Sequence, residues 1–253
     1  MSRIIALTNQ KGGCAKTTTA VNLAAGLANK GKRVLLIDMD PQANATSVFI
    51  DLSDFQKTAY DVFFNKVSPK EVIVKTKIEN LFLLPSDIKL SAADLKLSDI
   101  IGREKILLHS TKGILDNYDY VIIDTPPSLG LLTVNALTTA KEVMIPISAS
   151  YFAMKGVNLL QDTINLIRKN LDHPKLKVSG AICTMFDPIT NVSRDTLKLL
   201  EDHFKNLLMK TIIRKNIKLE EAHSAGKSIF EYAPNSAGAE DYLELTKEVI
   251  KNG

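Results

Sequence analysis

Short continuous runs of apolar residues alternate along this chain with longer segments whose apolar residues recur every three or four positions. The apolar runs lie at 4–7, 33–38, 119–124, 142–147 and 178–185, and helical spacing is clearest at 16–29 and 156–170. Continuous runs are typical of strands buried on both faces of a parallel sheet. Their alternation with helices predicts an α/β fold, a doubly wound, mostly parallel sheet with helices on both faces. We expect one such domain across residues 1–253.

The pattern is weakest between residues 51 and 116. There we expect a helix at 60–64, a short strand at 80–85 closed by Pro85, and two amphipathic helical pieces between 90 and 115. No pattern of catalytic residues occurs in this part of the sequence.

Composition narrows the functional classes. The 253 residues are 45% hydrophobic and 24% charged, as in ordinary soluble proteins, and no apolar run approaches the ~20 residues that span a membrane. We therefore expect a cytoplasmic protein with no membrane partner. The net charge of +4 permits a nucleic-acid partner without indicating one. Cys14 and Cys183 have no spacing typical of a disulfide framework or a zinc site.

The segment 9–19 lies between the first predicted strand and the first predicted helix, and it contains Gly12 and Gly13. Backbone N–H groups of such a turn, with the positive end of a helix dipole behind them, form an anion site that suits a polyphosphate. Lys16 would reach the β- and γ-phosphates, and the Thr17 hydroxyl would bind Mg²⁺. Ala15 is expected in the left-handed backbone region, at a cost of about 1–2 kcal/mol.

Two further carboxylates follow predicted strands. Asp40 comes just after the strand at 33–38, and Asp124 ends the strand at 119–124. Carboxyl ends of parallel strands line the ligand crevice of an open sheet, so Asp40 is well placed beside a γ-phosphate and Asp124 for holding Mg²⁺. The simpler alternative for Asp38 and Asp40 is that they only cap the next helix.

The loop departs from the general phosphate-loop pattern, because Gln10 and Ala15 replace its first and last glycines while Lys11 adds a second lysine. In this form it resembles the deviant Walker A family of P-loop NTPases, most closely the ParA/Soj chromosome and plasmid partition branch. The resemblance covers nearly the whole chain and includes the segment 38–42 and Thr125-Pro126-Pro127.

The resemblance implies an Mg²⁺-dependent ATPase that binds ATP or ADP. It implies that Lys11 reaches the partner's phosphates across an ATP-bound homodimer and that Asp40 orients the attacking water, so that Lys11, Lys16 and Asp40 are the catalytic candidates. Met185 and Asn216 would border the adenine base. The complete predicted nucleotide-binding set is Lys11, Gly12, Gly13, Cys14, Ala15, Lys16, Thr17, Thr18, Met185 and Asn216, with Thr17 and Asp124 as metal ligands.

The resemblance also implies non-specific DNA binding, for which the candidate residues are Arg214, Lys215, Lys218 and Lys227. Two departures bear on it. Arg214-Lys215-Asn216 stands where the family has Pro-Arg-Asn, and Ile189 occupies a position where several members carry a DNA-binding arginine.

The implied function is a DNA partition switch located on the nucleoid, in which slow hydrolysis stimulated by a ParB-type partner releases the dimer from DNA. Three other functions share parts of this pattern. A MinD-like cell-division ATPase needs an amphipathic C-terminal helix, and 247–253 offers little apolar face. An iron–sulfur ATPase needs paired cluster cysteines. A cargo-positioning ATPase that acts on a protein assembly stays open.

Overall fold

Seven strands form one sheet in the order β3-β4-β2-β5-β1-β6-β7, with every neighbouring pair parallel except β3 and β4. This architecture is seen in a computed structural model that describes residues 2–51, 57–150 and 154–253. The strands are β1 Arg3–Leu7, β2 Val34–Asp38, β3 Val74–Lys75, β4 Leu81–Leu84, β5 Tyr120–Asp124, β6 Glu142–Ser148 and β7 Lys177–Thr184.

Helices cover both faces of the sheet. They are α1 Lys16–Asn29, α2 Asn44–Phe49, α3 Ala59–Phe64, α4 Pro69–Val72, α5 Ala93–Lys96, α6 Ile106–Ser110, α7 Leu131–Thr139, α8 Lys155–Asn170, α9 Asn191–Phe204, α10 Ile217–Ser224, α11 Ile229–Tyr232 and α12 Ala237–Lys251. One hydrophobic core joins the sheet to α1, α2 and α10–α12, and a second joins its other face to α3–α9. The predicted doubly wound α/β fold is confirmed.

Strands form at the predicted apolar runs. Two of them, β2 and β5, are buried at every position, as a continuous apolar run predicts. Between β4 and β5 the prediction was only partly right. Instead of two amphipathic helices, the chain forms short α-helical and 3₁₀ pieces. Asn135 of α7 contacts this segment: its Oδ1 accepts a hydrogen bond from Leu107 N, and its Nδ2 donates one to Arg103 O. Tertiary hydrogen bonds therefore hold these short helical pieces in place.

Helices α1 and α12 pack closely at a glycine. A Cβ built on Gly26 would lie 2.3 Å from Thr246 Oγ1, so the two helices approach nearer than side chains at position 26 allow. The buried face of α12 includes Tyr242, Leu245 and Val249, so its apolar residues are used in the core. Within the described parts of the chain, no helix has the length and hydrophobicity of a membrane span.

Candidate functional site

The carboxyl ends of the parallel strands meet at one edge of the sheet, and the loop between β1 and α1 lies there. Gly13 has φ +67°, and Ala15 has φ 62° and ψ 32°, which confirms the left-handed conformation predicted for Ala15. A Cβ built on Gly12 or Gly13 would meet no atom within 4 Å. The loop therefore presents its glycines to open space in front of the N-terminus of α1, as anion binding requires.

Side chains on both sides of the loop fix its shape. Asn9 Nδ2 donates to Pro146 O at 2.8 Å, and its Oδ1 accepts from Lys11 N at 3.1 Å. Cys14 Sγ donates to Lys11 O at 3.1 Å, and Thr184 Oγ1 donates to Cys14 O at 3.1 Å. Cys14 thus faces the interior, where burial raises the pKa of its thiol.

The two lysines of the loop take different directions. Lys16 is 7% exposed, lines the cavity above the loop and donates to Lys11 O at 3.3 Å. Lys11 turns toward the end of β6, where its Nζ lies 2.6 Å from Ser150 Oγ and 3.5 Å from Ser148 Oγ. In this conformation Lys16 faces the cavity and Lys11 is held beside it.

Asp38 and Asp124 are paired in the register of β2 and β5, and both are fully buried. Asp38 is saturated with hydrogen bonds: its Oδ1 accepts from Asp40 N at 3.0 Å, and its Oδ2 accepts from Thr46 N at 2.9 Å and Thr46 Oγ1 at 2.7 Å. Burial raises the pKa of Asp38, the hydrogen bonds lower it in part, and the net result is a pKa of about 6. Asp38 therefore caps α2, as the simpler alternative expected for this residue.

Asp124 differs from Asp38 in having no hydrogen bond of ordinary geometry to either carboxylate oxygen within the described residues. Burial and then the charge of Asp38 raise its pKa well above the ordinary value, while nearby Thr17 and Lys16 lower it. A buried unpaired carboxylate is costly unless a cation compensates it. Oxygen donors from Asp124 and Thr17 suit Mg²⁺, so the residues present fit the predicted metal.

Asp40 borders the cavity and is 7% exposed. Its Oδ1 accepts from Gln42 N at 2.9 Å, and the described residues provide no hydrogen bond to its other oxygen. Ser86 at the end of β4 supports it from behind, because Ser86 Oγ donates to Asp40 O at 2.6 Å and Ser86 N donates to Thr46 Oγ1 at 2.9 Å. Asp40 therefore has a fixed backbone and one carboxylate oxygen that no described residue contacts by a hydrogen bond.

The cavity above the loop measures about 610 Å³. One wall contains two segments that were predicted to border the base. The first, around Met185, follows β7, and the second, around Asn216, lies between α9 and α10. Phe186 N donates to Ile213 O at 3.0 Å, and Lys215 N donates to Phe186 O at 2.9 Å, so these segments are joined. The cavity is lined by Gly12, Gly13, Ala15, Lys16, Thr17, Thr18, Asp40, Gln42, Asn44, Pro127, Met185, Ile213, Arg214, Lys215, Asn216, Leu219, Glu220, His223, Ser224 and Tyr242.

The four predicted DNA-binding cations are not equivalent. Lys215 and Lys227 are exposed without an ion pair to a described residue, and Lys218 makes an exposed pair with Glu221 at 2.8 Å. Arg214 instead contacts Asp241 and Glu240, each at 2.6 Å from Nη2. Its charge is already shared between two carboxylates, which speaks against Arg214 as a phosphate ligand.

Sequence reasoning missed several residues that shape the site. Ser86, Ser148 and Ser150 carry no motif, and only their position at strand ends could have suggested them. Tyr242 and Asp241 lie far along the chain in α12, and no spacing links them to the loop.

Comparison with known proteins supports the assignment. The family model described as an AAA domain matches residues 2–178. The chain is 45% identical to the sporulation initiation inhibitor protein Soj of Bacillus subtilis, over all of both chains. It is 40% identical to the chromosome partitioning protein ParA of Myxococcus xanthus, over 99% of this chain and 89% of that one.

A solved structure is also similar. Cobyrinic acid a,c-diamide synthase from Mycobacterium smegmatis with bound ADP and magnesium superposes with a TM-score of 0.86 and 34% identity, over 99% of this chain and 95% of that one. The phosphate loop, the buried carboxylates and the 45% identity to Soj over the full length of both chains point to the same family. The chain belongs to the Soj and ParA family of chromosome partitioning proteins, which carry a P-loop domain of the AAA type.

Proposed function

We propose that this protein is an ATP-dependent switch for DNA partition. In this proposal ATP or ADP and Mg²⁺ occupy the cavity above the loop, ATP closes a homodimer, the dimer binds DNA without sequence preference, and slow hydrolysis stimulated by a ParB-type partner releases it. The protein would act in the cytoplasm on the nucleoid.

The observation that carries the proposal is the carboxylate of Asp124. It is fully buried at the end of β5, beside Thr17 and Lys16, which line the cavity. Among the described residues it has no hydrogen bond of ordinary geometry, and it lies in register with the saturated carboxylate of Asp38. A protein gains nothing in stability from such a group, so a cationic ligand is the natural explanation. The ADP and magnesium in the Mycobacterium smegmatis structure support the same occupant.

Each residue then has a role that follows from its position. The open N–H groups around Gly12 and Gly13 and the cation of Lys16 would bind the phosphates and neutralise their charge. Mg²⁺ held by Thr17 and Asp124 would supply further charge stabilisation. The free oxygen of Asp40 would accept a hydrogen bond from the attacking water and orient it, which is most of the work that phosphoryl transfer asks of a protein.

Dimerisation would depend on Lys11. Its ammonium group now contacts Ser150, so it must leave that contact to reach a second copy's phosphates. Exchanging a neutral hydroxyl acceptor for a phosphate oxygen is favourable, because the ammonium group then gains the attraction of an anionic charge in addition to a hydrogen bond.

DNA binding would rest on Lys215, Lys218 and Lys227. The ion pair between Lys218 and Glu221 is exposed, and exposed pairs are worth about 0–1 kcal/mol, so a DNA phosphate can displace the glutamate. Dimerisation would double the number of cations and raise the affinity through effective concentration.

Two measurements test the proposal. Calorimetric titration should show Mg²⁺-dependent ATP binding by wild type and none by Lys16→Ala. Filter binding of a random-sequence duplex across a salt series should show ATP-dependent affinity. Its slope against log salt should flatten in Lys218→Ala by about 0.9 for each Lys218 contact removed, which is about 1.8 for a dimer that uses both copies. If the wild-type protein binds ATP but no DNA at low salt, the partition role is wrong and a nucleotide switch with another target remains.

A further inference from the structure

Arg214 makes a two-sided clasp between the cavity wall that contains Asn216 and helix α12. Its backbone N donates to Asp241 Oδ2 at 2.8 Å, its Nε donates to Asp241 Oδ1 at 2.9 Å, and its Nη2 donates to Asp241 Oδ1 at 2.6 Å. Glu240 accepts from the same Nη2 at 2.6 Å. Main chain and side chain of one residue are thus both bound to one carboxylate, a geometry that fixes the position of the backbone at 214.

The carboxylate in this clasp is well shielded from water. The Asp241 side chain is 8% exposed, whereas the arginine side chain is 42% exposed and Glu240 is 69% exposed. Screening by water therefore weakens the Glu240 pair most and the Asp241 pair least. Removal of the arginine would leave Asp241 largely buried without an ion pair to any residue in the described ranges.

The next residue of α12 connects the clasp to the phosphate side of the cavity. Tyr242 is completely buried, and its hydroxyl lies 3.1 Å from the Oγ1 atom of Thr19, which is three residues after Lys16 in the first turn of α1. Adjacent residues of one rigid helix therefore contact the base-side wall through Arg214 and the phosphate-side helix through Thr19. The distance between these two walls is set by α12.

We propose that Arg214 is a nucleotide-positioning residue, which through Asp241 holds the segment 213–216 at the spacing from the phosphate loop that an adenine nucleotide needs. This inference rests on the proposed function, because it takes the cavity to bind ATP. It assigns Arg214 to the nucleotide side of the molecule and leaves DNA binding to the exposed lysines.

The test compares Arg214→Ala, Arg214→Lys and Asp241→Asn with Lys247→Ala. Lys247 is the matched control, because it also makes a 2.6 Å ion pair on α12, with Glu244, but at a solvent-exposed position away from the cavity. Each protein is titrated calorimetrically with ATP and, separately, with inorganic triphosphate, which has no base. Thermal unfolding establishes that every variant is folded at the titration temperature.

Arg214→Ala and Asp241→Asn are expected to bind ATP about tenfold more weakly, the size of one lost charge-assisted hydrogen bond, while triphosphate affinity changes less than about twofold. Arg214→Lys should recover only part of the ATP affinity, because an ammonium group lacks the guanidinium fork. Lys247→Ala should match wild type with both ligands. At saturating ATP, the salt slope of duplex binding by Arg214→Ala should equal that of wild type.

Two results would overturn the inference: equal losses of ATP and triphosphate affinity, or unchanged ATP affinity with a flatter salt slope, which would make Arg214 a DNA contact. Absence of ATP binding by the wild-type protein would instead refute the proposed function, so the two failures are distinguishable.

Discussion

Asp38 and Asp124 offer a paired experiment, because they are two fully buried carboxylates in register on adjacent strands with opposite hydrogen-bonding states. We expect Asp124→Asn to stabilise the nucleotide-free protein, and Asp38→Asn to destabilise it. The substitutions are nearly isosteric, so the difference isolates charge and hydrogen bonding from packing.

The magnitudes follow from the contacts. An unsatisfied buried polar group costs about 1–3 kcal/mol, and more when it is charged, so removing the charge of Asp124 should raise the free energy of unfolding by about 1–3 kcal/mol. In Asp38 both oxygens accept a backbone N–H, from Asp40 and Thr46. An asparagine has only one oxygen to offer, so one N–H would face an NH₂ group. Relief of repulsion from Asp124 offsets part of that cost, and we expect a net loss of about 1 kcal/mol.

Thermal unfolding without and with Mg²⁺ and ATP provides the assay. A domain of this size shifts by about 2–4 °C per kcal/mol, so Asp124→Asn should melt several degrees above wild type without ligand. Saturation at about a hundred times Kd adds about 2.7 kcal/mol to a binding-competent protein. Wild type should gain this stabilisation. Asp124→Asn should gain less, because it lacks the part of the binding free energy that depends on Mg²⁺. With ligand present, the stability advantage of the variant should therefore shrink or reverse. A nucleotide-free Asp124→Asn protein that melts below wild type would refute the reasoning.

The same pair predicts a pH dependence. The pKa of Asp38 is raised to about 6, and that of Asp124 is also raised, in both cases first by burial. An acid with a raised pKa in the folded state holds its proton more tightly there, so its contribution is fully present below the unfolded pKa and is lost as pH rises through the folded one. Nucleotide-free wild type should therefore lose stability relative to Asp124→Asn as the pH rises from about 4, the ordinary pKa of an aspartate. Chemical denaturation in small pH steps measures this difference.

Three further substitutions test other parts of the loop and the switch. Lys11→Ala should still bind ATP as a monomer but fail to form the ATP-dependent dimer on size exclusion, and persistence of that dimer would contradict the role given to Lys11. Asp40→Ala should bind ATP and accumulate as a dimer without releasing phosphate, whereas wild-type turnover would remove Asp40 from catalysis. Ala15→Gly should raise the free energy of unfolding by about 1 kcal/mol in chemical denaturation, because glycine adopts a positive φ without the cost that alanine bears. A loss of stability there would show that the left-handed conformation is not strained.

The positions of the long parallel strands along the chain and their burial could be predicted from the sequence, because a strand buried on both faces leaves a continuous apolar run. The segment between β4 and β5 could not, because its local pattern is weak and its conformation depends on Asn135 of α7. Tertiary hydrogen bonds of that kind are invisible to periodicity.

The phosphate loop was predictable down to the left-handed Ala15, since the glycines, the lysine and the strand–helix context are local in sequence. The different roles of Asp38 and Asp124 could not be predicted. An aspartate at the end of a strand gives the same sequence pattern whether or not hydrogen-bond donors surround its carboxylate in the fold. The partners of Arg214 lie 26 and 27 residues away, so a basic residue in a basic segment was interpreted as a DNA contact.

Because Gly26 has no side chain, a substitution at this position, which does not line the cavity, can change the spacing between the two cavity walls. A methyl group there would force Thr246 from its hydrogen bond to Tyr242 O or push α12 outward, and α12 carries both Asp241 and Tyr242. The spacing of the two walls would change although no residue that lines the cavity had been substituted. A series of increasing side-chain volume at position 26 would thus yield graded, heat-sensitive alleles, in which nucleotide affinity falls with temperature although no contact residue has been altered.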